Sequence, residues 1–175
     1  VIANNYPLTT SLRVFDTNTG NFLLLPSNII SASWDPKSNN RLVVIRKTEP
    51  ASTVGIYNLT NGNYSEITKL TQLDLDLHWA SANTIYLFSK SSAEYGSSLW
   101  SLNINTRNLI PILENILGLT MKWTPDGNNM LVFSGDTFGH YSFGLRNNDG
   151  TTLINLPTTL PSKCALGNTR AFCAA

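Results

Sequence analysis

Short runs in which apolar and polar residues alternate recur along the chain, and clusters of Asn, Asp, Gly and Thr separate them. The alternating run at 12–15 is followed by the turn-forming sequence Asp-Thr-Asn-Thr-Gly-Asn at 16–21. The same combination of an alternating run and a turn recurs over 55–64 and 141–150. Alternation with a period of two, bounded by such turns, predicts short antiparallel strands. Helix is the weaker prediction even for 109–119, because a proline and a glycine interrupt that segment.

A longer repeat is superimposed on this alternation. Trp34 begins the sequence Trp-Asp-Pro-Lys-Ser-Asn-Asn-Arg-Leu-Val-Val, and Trp123 begins Trp-Thr-Pro-Asp-Gly-Asn-Asn-Met-Leu-Val-Phe. A copy with a shorter turn begins at Trp79, and a degenerate copy carries Leu166 at the tryptophan position. Consecutive copies are 45, 44 and 43 residues apart. The chain is therefore predicted to be an array of one structural unit.

Four short strands in each unit of this length are typical of a β-propeller blade. We therefore predict an all-β fold of four-stranded antiparallel blades, amounting to about four blade equivalents in a single propeller domain or propeller segment. The expected boundaries are a partial blade over 1–30, blades at about 31–74, 75–117 and 118–160, and a partial blade over 161–175. Because four blades is the lower limit for a closed ring, we expect part of a larger propeller, with a closed four-bladed ring as the alternative.

Residues that recur in register are assigned structural roles. A large aromatic side chain at the end of the first strand can cover the seam between neighbouring blades, and Pro, Asp and Gly suit the turn that follows. The residues concerned are Trp34, Trp79, Trp123, Leu166, Pro36, Pro125, Asp126 and Gly127. The alternative role for the tryptophans is a stacking platform for a ligand, which recurrence at equivalent positions disfavours.

The run at 123–134 resembles the blade signature of the TolB-type, WD40-like propeller repeat, and residues 34–45 resemble it nearly as well. The copy at 79–88 lacks the proline, and the last copy lacks the tryptophan. The resemblance implies a bacterial, secreted or periplasmic propeller that binds other proteins, or a propeller domain in front of a serine peptidase. It covers essentially the whole chain and is specific for the fold.

Charge and hydropathy exclude two classes of partner. Lys and Arg total 12 against 11 Asp and Glu, which leaves no broad positive field for a nucleic acid. No run approaches the 18 or more apolar residues of a membrane helix, so we expect no membrane span within this segment. The sequence starts at Val1 with neither a Met nor a secretion signal, and we expect a fragment or a processed chain.

Motifs that would indicate catalysis are missing from the sequence. There is no Gly-x-Ser-x-Gly elbow, phosphate-binding loop or His/Cys metal cluster. We therefore expect no enzyme activity, no catalytic, cofactor-binding or metal-binding residues, and no cofactor. His78 and His140 are expected to be structural or solvent-facing. Less favoured alternatives are Asp35 and Asp126 as metal ligands and the acids at 74 and 76 as a catalytic pair.

The function predicted from these features is a non-catalytic scaffold that binds a protein or peptide through its loop faces and central channel. The fold analogy carries most of this inference. One alternative is the propeller domain of a larger serine peptidase-type hydrolase. The other is a carbohydrate-binding propeller that uses the exposed aromatic residues Tyr57, Tyr64, Tyr95 and Tyr141.

The two cysteines, Cys164 and Cys173, are predicted to form a disulfide. If Leu166 faces Ala171 across a four-residue turn, the cysteines lie opposite each other on antiparallel strands, within the span that a disulfide accepts. The alternative is two reduced, buried thiols. A disulfide implies an extracytoplasmic protein that is periplasmic, on the cell surface or secreted.

Overall fold

The computed structural model describes residues 11–71, 75–167 and 170–174, and only the backbone of 2–4. This described part is all-β, with sixteen strands and one turn of 3-10 helix at Pro161–Lys163. In each sheet the strand order follows the chain order. The strands are β1 Ile2–Asn4, β2 Leu12–Phe15, β3 Phe22–Leu24, β4 Ile29–Trp34, β5 Arg41–Thr48, β6 Ala51–Asn58, β7 Tyr64–Leu70, β8 Leu75–Ser81, β9 Thr84–Ser89, β10 Ser97–Asn103, β11 Leu109–Trp123, β12 Asn129–Gly135, β13 Tyr141–Asn147, β14 Thr152–Asn155, β15 Cys164–Leu166 and β16 Ala171–Cys173.

The chain divides into two compact units. Unit 1 comprises 1–87 and 102–108, and unit 2 comprises 88–101 and 109–175.

Unit 1 contains the sheet β1-β2-β3 and the four-stranded antiparallel sheet β4-β5-β6-β7. Alternate residues of these strands point to one face, and the apolar ones among them form a buried cluster. Trp34, at the end of β4, packs against this cluster from a partly buried position. The cluster consists of Leu12, Val14, Leu25, Ile29, Leu42 and Val44.

Unit 2 contains the antiparallel neighbours β11-β12-β13-β14 and the hairpin β15-β16. Its core combines Leu131 and Phe143 with Cys164 of the hairpin, and all three are almost completely buried. The face of the β12-β13 sheet that carries Leu131 and Phe143 is therefore covered, in part, by the hairpin β15-β16.

The segment 109–119, which was the best candidate for a helix, is part of the strand β11. Its backbone enters the left-handed region at Asn115, with φ of 55°, and at Gly118, with φ of 61°. Leu117 pairs with Gly135, and the register shifts before the next pair, Thr120 with Phe133. The positive φ angles redirect the strand at this point, which we call the β11 bend.

The first and third full repeats differ in register although their sequences align without a gap. Trp34 pairs with Leu42, whereas Trp123 pairs with Met130. The turn is therefore one residue shorter after Trp123, so Met130 is the structural equivalent of Leu42. The sequence alignment instead matches Leu42 with Leu131. An alignment without gaps does not reveal a difference in the type or length of the turn.

Two of the tryptophans contact the repeat that precedes their own. The backbone N–H of Trp79 donates to Ser33 Oγ at 3.1 Å, and the Arg41 guanidinium lies 5.8 Å from its ring centroid. Trp79 is 3% exposed, and Trp123 is partly buried, with its ring centroid 5.4 Å from that of Phe88. These contacts place the tryptophans at the seams between repeats.

The hairpin β15-β16 carries a disulfide between Cys164 and Cys173. The two residues are directly opposed in the ladder, with their Cα atoms 4.0 Å apart, and Leu166 is opposite Ala171. Residues 168 and 169 of the degenerate repeat lie outside the described residues.

Candidate functional site

The turns that follow the first strands use their carboxylates internally. Asp35 accepts hydrogen bonds from the Lys37 backbone N–H and from the Arg41 guanidinium. Asp126 accepts from the hydroxyl of Thr124 and from both the backbone and side-chain nitrogens of Asn128. The hydrogen bond from Thr124 is the main reason why the pKa of Asp126 lies below its usual range. Both carboxylates therefore hold their own turns.

The remaining turn residues with predicted roles lie beside these carboxylates. Pro125 occupies the first corner of its turn, and Gly127 follows with φ of 70° while its N–H donates to Thr124 O at 2.9 Å. Pro36 occupies the corresponding place after Asp35. Among the described residues no three His, Cys, Asp or Glu side chains are grouped so that they could hold a metal ion. Asp74 lies outside the described residues, so the acid pair at 74 and 76 has no structural account.

The loop at 136–140 is organised by one carboxylate. Asp136 Oδ1 accepts the backbone N–H groups of Phe138, at 2.8 Å, and His140, at 2.9 Å, while Oδ2 lies 2.9 Å from His140 Nδ1. Above all, the hydrogen bond with the His140 side chain holds the pKa of Asp136 below its usual range. The Asp136 carboxylate is ionised at neutral pH and fixes the loop backbone.

This loop directs apolar and aromatic side chains into solvent. Phe138 is 84% exposed and Tyr141 is 62% exposed. The ring of Tyr141 stacks on that of Phe133, with centroids 5.6 Å apart, and the ring centroids of Phe138 and His140 are 6.4 Å apart. The rings therefore have defined positions without being buried.

A second loop, at 90–96, has a similar construction. Ser92 Oγ accepts the backbone N–H groups of Glu94 and Tyr95, both at 3.1 Å, and Ser97 Oγ donates to Lys90 O at 2.9 Å. Tyr95 is 74% exposed. Each loop connects the second and third strands of its repeat.

The two loops converge on the β11 bend. Gly118 N donates to Ser92 O at 2.7 Å. The neighbouring residue, Leu117, pairs with Gly135, which immediately precedes Asp136. We call residues 90–96 and 136–141 the loop pair. It presents three exposed aromatic rings and His140 on unit 2.

The loop pair combines an Asp–His contact with exposed aromatic rings. The imidazole of His140 bonds to Asp136, as in a catalytic dyad, but its side chain is 80% exposed. The hydroxyls of Ser134 and Ser142, on the two strands that flank the 136–140 loop, lie 2.6 Å from each other. General base catalysis needs the base in hydrogen-bond reach of the group that it deprotonates, and one of these two hydroxyls donates to the other. Exposed, positioned aromatic rings are instead typical of interface hot spots.

The other histidine has a structural position. Burial lowers the pKa of His78, which lies on β8 beside Trp79, to about 4. Its imidazole is therefore neutral at physiological pH.

The aromatic residues suggested for carbohydrate binding do not form one set. Tyr57 and Tyr64 are partly buried against the core cluster of unit 1. The Tyr64 hydroxyl donates to Thr53 Oγ1 at 2.9 Å. Burial raises the pKa of Tyr64. Tyr95 and Tyr141 belong to the loop pair. Sequence reasoning missed Phe138, the most exposed aromatic side chain among the residues that the structure describes. Its signal was the non-repeating sequence Asp-Thr-Phe-Gly-His-Tyr between two strands.

None of the helical structure in the described part of the chain is long and apolar enough to cross a membrane.

Comparison with known proteins shows the fold. No protein-family model and no curated protein matches the sequence. TolB from Acinetobacter baumannii superposes with a TM-score of 0.68 at 11% identity, over 91% of this chain and 41% of TolB. An acylaminoacyl peptidase gives a TM-score of 0.62 at 9% identity, over 86% of this chain and 28% of the peptidase. An oligogalacturonate lyase in complex with manganese gives 0.61 at 14% identity, over 89% and 49%.

The chain has a TolB-like partial β-propeller fold and spans about two fifths of the length of the Acinetobacter protein. The similar structures include a peptidase and a lyase as well as TolB. Since one fold supports several functions, function has to be argued from the residues of this chain.

Proposed function

We propose that this chain is a non-catalytic β-propeller segment that binds a protein or peptide through the loop pair. The observation that carries the proposal is the exposure of Tyr95, Phe138 and Tyr141 on loops whose backbones are fixed by internal hydrogen bonds. The proposed binding surface also includes the central channel of the propeller.

Physical chemistry favours this assignment in two ways. An aromatic side chain can bury about 150 to 250 Å² in an interface, and aromatic rings are enriched among the residues that dominate binding energy. Loops already held in one conformation lose less entropy on association. Asp136 and Ser92 supply that preorganisation, because each fixes two backbone N–H groups of its loop.

The proposal includes an extracytoplasmic location, which is periplasmic, on the cell surface or secreted. The disulfide between Cys164 and Cys173 supports it, since such bonds persist mainly outside the reducing cytoplasm. The resemblance to TolB-type repeats, with its bacterial and periplasmic implications, points the same way. The check is intact-mass measurement of the unreduced, denatured protein from its native compartment after alkylation. We expect no alkylated thiol, and two alkylated thiols would contradict the location.

We also propose that the segment belongs to a larger propeller with the blade boundaries that the repeat predicts. The second candidate function is the propeller domain of a larger peptidase-type hydrolase, which the likeness to the acylaminoacyl peptidase favours. The full-length gene separates the two candidates. A Gly-x-Ser-x-Gly elbow in the same open reading frame would support the hydrolase, and a frame without it would support the binding scaffold.

The test of binding compares the wild-type protein with a variant carrying Phe138→Ser and Tyr95→Ser. Proteins captured from the source organism's cell envelope are crosslinked and quantified by mass spectrometry. A matched control is Leu153→Ser, which removes an apolar side chain that is 50% exposed on β14 of the same unit. We expect at least a tenfold loss of the captured partner for the double variant alone. Equal capture by all three proteins would overturn the proposal.

A further inference from the structure

The charge around the exposed rings of the loop pair differs from that of the whole chain. Residues 90–96, 114–118 and 136–141 contain the carboxylates of Glu94, Glu114 and Asp136, but only one lysine, Lys90, and no arginine. Over the whole chain, Lys and Arg slightly outnumber Asp and Glu, by 12 to 11. The loop pair and the adjoining β11 bend therefore carry an excess of negative charge on a chain whose net charge is positive.

Close packing brings Glu114 to the same surface as the 90–96 loop. A Cβ atom at Gly96 would collide with the side chain and the Cα atom of Asn115, so only glycine allows the loop to approach the β11 bend this closely. Glu94 lies two residues before Gly96, and Glu114 immediately precedes Asn115. Both glutamates are in exposed positions. Two carboxylates are therefore held near this contact, in the loop that exposes Tyr95.

Asp136 adds a third negative charge on the other side of the loop pair. Hydrogen bonding, above all with the side chain of His140, lowers the pKa of Asp136, and the Asp136 side chain is 46% exposed. In the part of the chain that the structure describes, none of the three carboxylates forms an ion pair with Lys or Arg. Their charge is therefore not neutralised within the molecule.

Aromatic rings beside free carboxylates favour a cationic ligand. An Arg or Lys side chain can lie over the face of a Tyr or Phe ring, within about 6 Å of its centroid, while its charge interacts with a nearby carboxylate. Unit 1 already contains such a contact, because the Arg46 guanidinium lies 4.5 Å from the ring centroid of Tyr64. On the loop pair the rings of Tyr95 and Phe138 are exposed, so the cation would have to come from a partner.

We propose that the segment bound by the loop pair is a basic peptide of a partner protein. Its Arg or Lys side chains lie over the rings of Tyr95 and Phe138, and their charges pair with Glu94 and Glu114. The proposal rests on the function proposed above, since it names the chemistry of the partner that the same surface binds. The surface belongs to two consecutive repeats and needs no residue outside 90–141.

The experiment uses three fluorescein-labelled peptides of the sequence Gly-Ser-Xaa-Leu-Xaa-Pro-Leu-Xaa-Ser-amide, in which Xaa is Arg, Gln or Glu. Their Kd for the wild-type protein is measured by fluorescence anisotropy in about 0.05 M and about 0.5 M NaCl, since screening by salt weakens exposed charge pairs. At the lower salt concentration we expect the Arg peptide to bind at least tenfold more tightly than the Gln peptide, and the Glu peptide to bind most weakly. At the higher concentration the preference for Arg over Gln should fall below threefold.

A charge-swap variant identifies the carboxylates that cause the preference. In the double variant Glu94→Lys and Glu114→Lys, we expect the Glu peptide to bind more tightly than the Arg peptide. The matched control is Glu49→Lys with Glu66→Lys, which changes the net charge equally at two exposed positions of unit 1. The control should keep the wild-type preference. Far-UV circular dichroism and the Tm verify that both double variants fold.

Phe138→Ser distinguishes this proposal from the function on which it rests. If the three peptides bind the wild-type protein equally and Phe138→Ser weakens all of them, the loop pair binds peptides without regard to charge, and only the basic partner is wrong. If Phe138→Ser changes neither peptide binding nor partner capture, the proposed function is wrong as well.

Three further results would overturn the basic partner. They are an Arg peptide that does not bind at millimolar concentration, a preference for Arg that persists in the charge-swap variant, and a preference that the control variant also loses. A concentration-dependent dimer that Phe138→Ser dissociates would overturn it too, because the occupant would then be a second copy of this chain.

Discussion

The connections of the strands β11-β12-β13-β14 use the same hydrogen-bonding device at the two ends of the strands, with opposite results. At one end, Asp126 and Asp149 accept backbone N–H groups within short turns rich in Asn and Gly. At the other end, Asp136 accepts two N–H groups in the same manner, but the loop that it holds exposes Phe138 and His140. An acceptor at the start of a connection fixes the backbone in both cases. The residues that follow decide whether the connection only reverses the chain or also presents a surface.

Under the proposed function, this contrast separates the residues that stabilise the fold from those that bind a partner. The hydrogen bonds of the turns are made inside the turns, so changes there are expected to alter folding and leave binding intact. The aromatic rings of the loop pair contribute little buried area to the folded state, so their removal is expected to alter binding alone.

The largest effect on stability is expected for Trp79→Ala, on the strand β8. Trp79 is 3% exposed and contacts Ser33 and Arg41 of the preceding repeat. Truncation of a buried aromatic residue usually costs about 3 to 5 kcal/mol. We expect that decrease in the free energy of unfolding, measured by urea denaturation. Trp79→Phe, which keeps much of the ring volume, is the control, and an equal loss for both variants would contradict a packing role.

The next largest effect is expected for the pH dependence of the free energy of unfolding, which depends on the buried histidine His78. Burial lowers the pKa of His78 to about 4, whereas an unfolded histidine titrates near pH 6.5. The unfolded state therefore binds the proton first, and stability is complete above pH 6.5 and falls progressively between pH 6.5 and pH 4. The difference of about 2.5 pKa units corresponds to at most about 3 kcal/mol below pH 4.

The measurement is the free energy of unfolding at several pH values for the wild-type protein and for His78→Gln. The variant should lose the slope between pH 6.5 and pH 4. A wild-type protein whose stability stays flat across this window would show that His78 titrates normally in the folded state.

Much of the fold could be predicted from the sequence because each copy of the repeat indicates the same arrangement of strands. The alternation of apolar residues placed the strands, and the spacing of the tryptophans indicated a propeller, which the likeness to TolB confirms. The register of each hairpin could not be read in this way. Residues 34–42 and 123–131 align without a gap, yet Trp123 pairs with Met130 because its turn is one residue shorter.

The candidate site was harder to predict for a related reason. The residues that we propose for binding do not recur, so the repeat that reveals the fold gives no information about them. Phe138 lies in a loop whose sequence has no counterpart in the other copies, and its exposure depends on hydrogen bonds to Asp136 that only the structure shows. Tyr95 and Tyr141 were noticed as aromatic residues, but their convergence at the β11 bend depends on the contacts of Leu117 and Gly118.

A moderate effect is expected at the polar turns. Asp35 is 4% exposed and accepts hydrogen bonds from Lys37 N and from Arg41. Asp35→Ala leaves the Lys37 N–H and the Arg41 guanidinium without this acceptor, and the loss of such a partner costs about 1 to 3 kcal/mol. We expect a matching decrease in the free energy of unfolding, with no change in partner capture. Asp149→Ala, in an exposed turn, is the control and should lower Tm less than Asp35→Ala does.

The smallest effect on stability is expected for Phe138→Ser, which is also the sharpest test of the comparison. The Phe138 ring is 84% exposed, so its removal forfeits almost no area buried on folding, and the Phe138 backbone N–H still reaches Asp136. Surface changes of this kind usually stay within about 0.5 kcal/mol. We therefore expect a Tm indistinguishable from that of the wild-type protein, by differential scanning calorimetry, together with weaker partner capture.

Asp136→Ala gives the complementary result. All side chains of the loop remain except the carboxylate, and amide hydrogen exchange at Phe138 and His140 should accelerate because the backbone N–H groups of these residues lose their acceptor. If Phe138→Ser instead lowers Tm as much as Asp35→Ala does, the ring is part of the core and the separation between turns and loops fails.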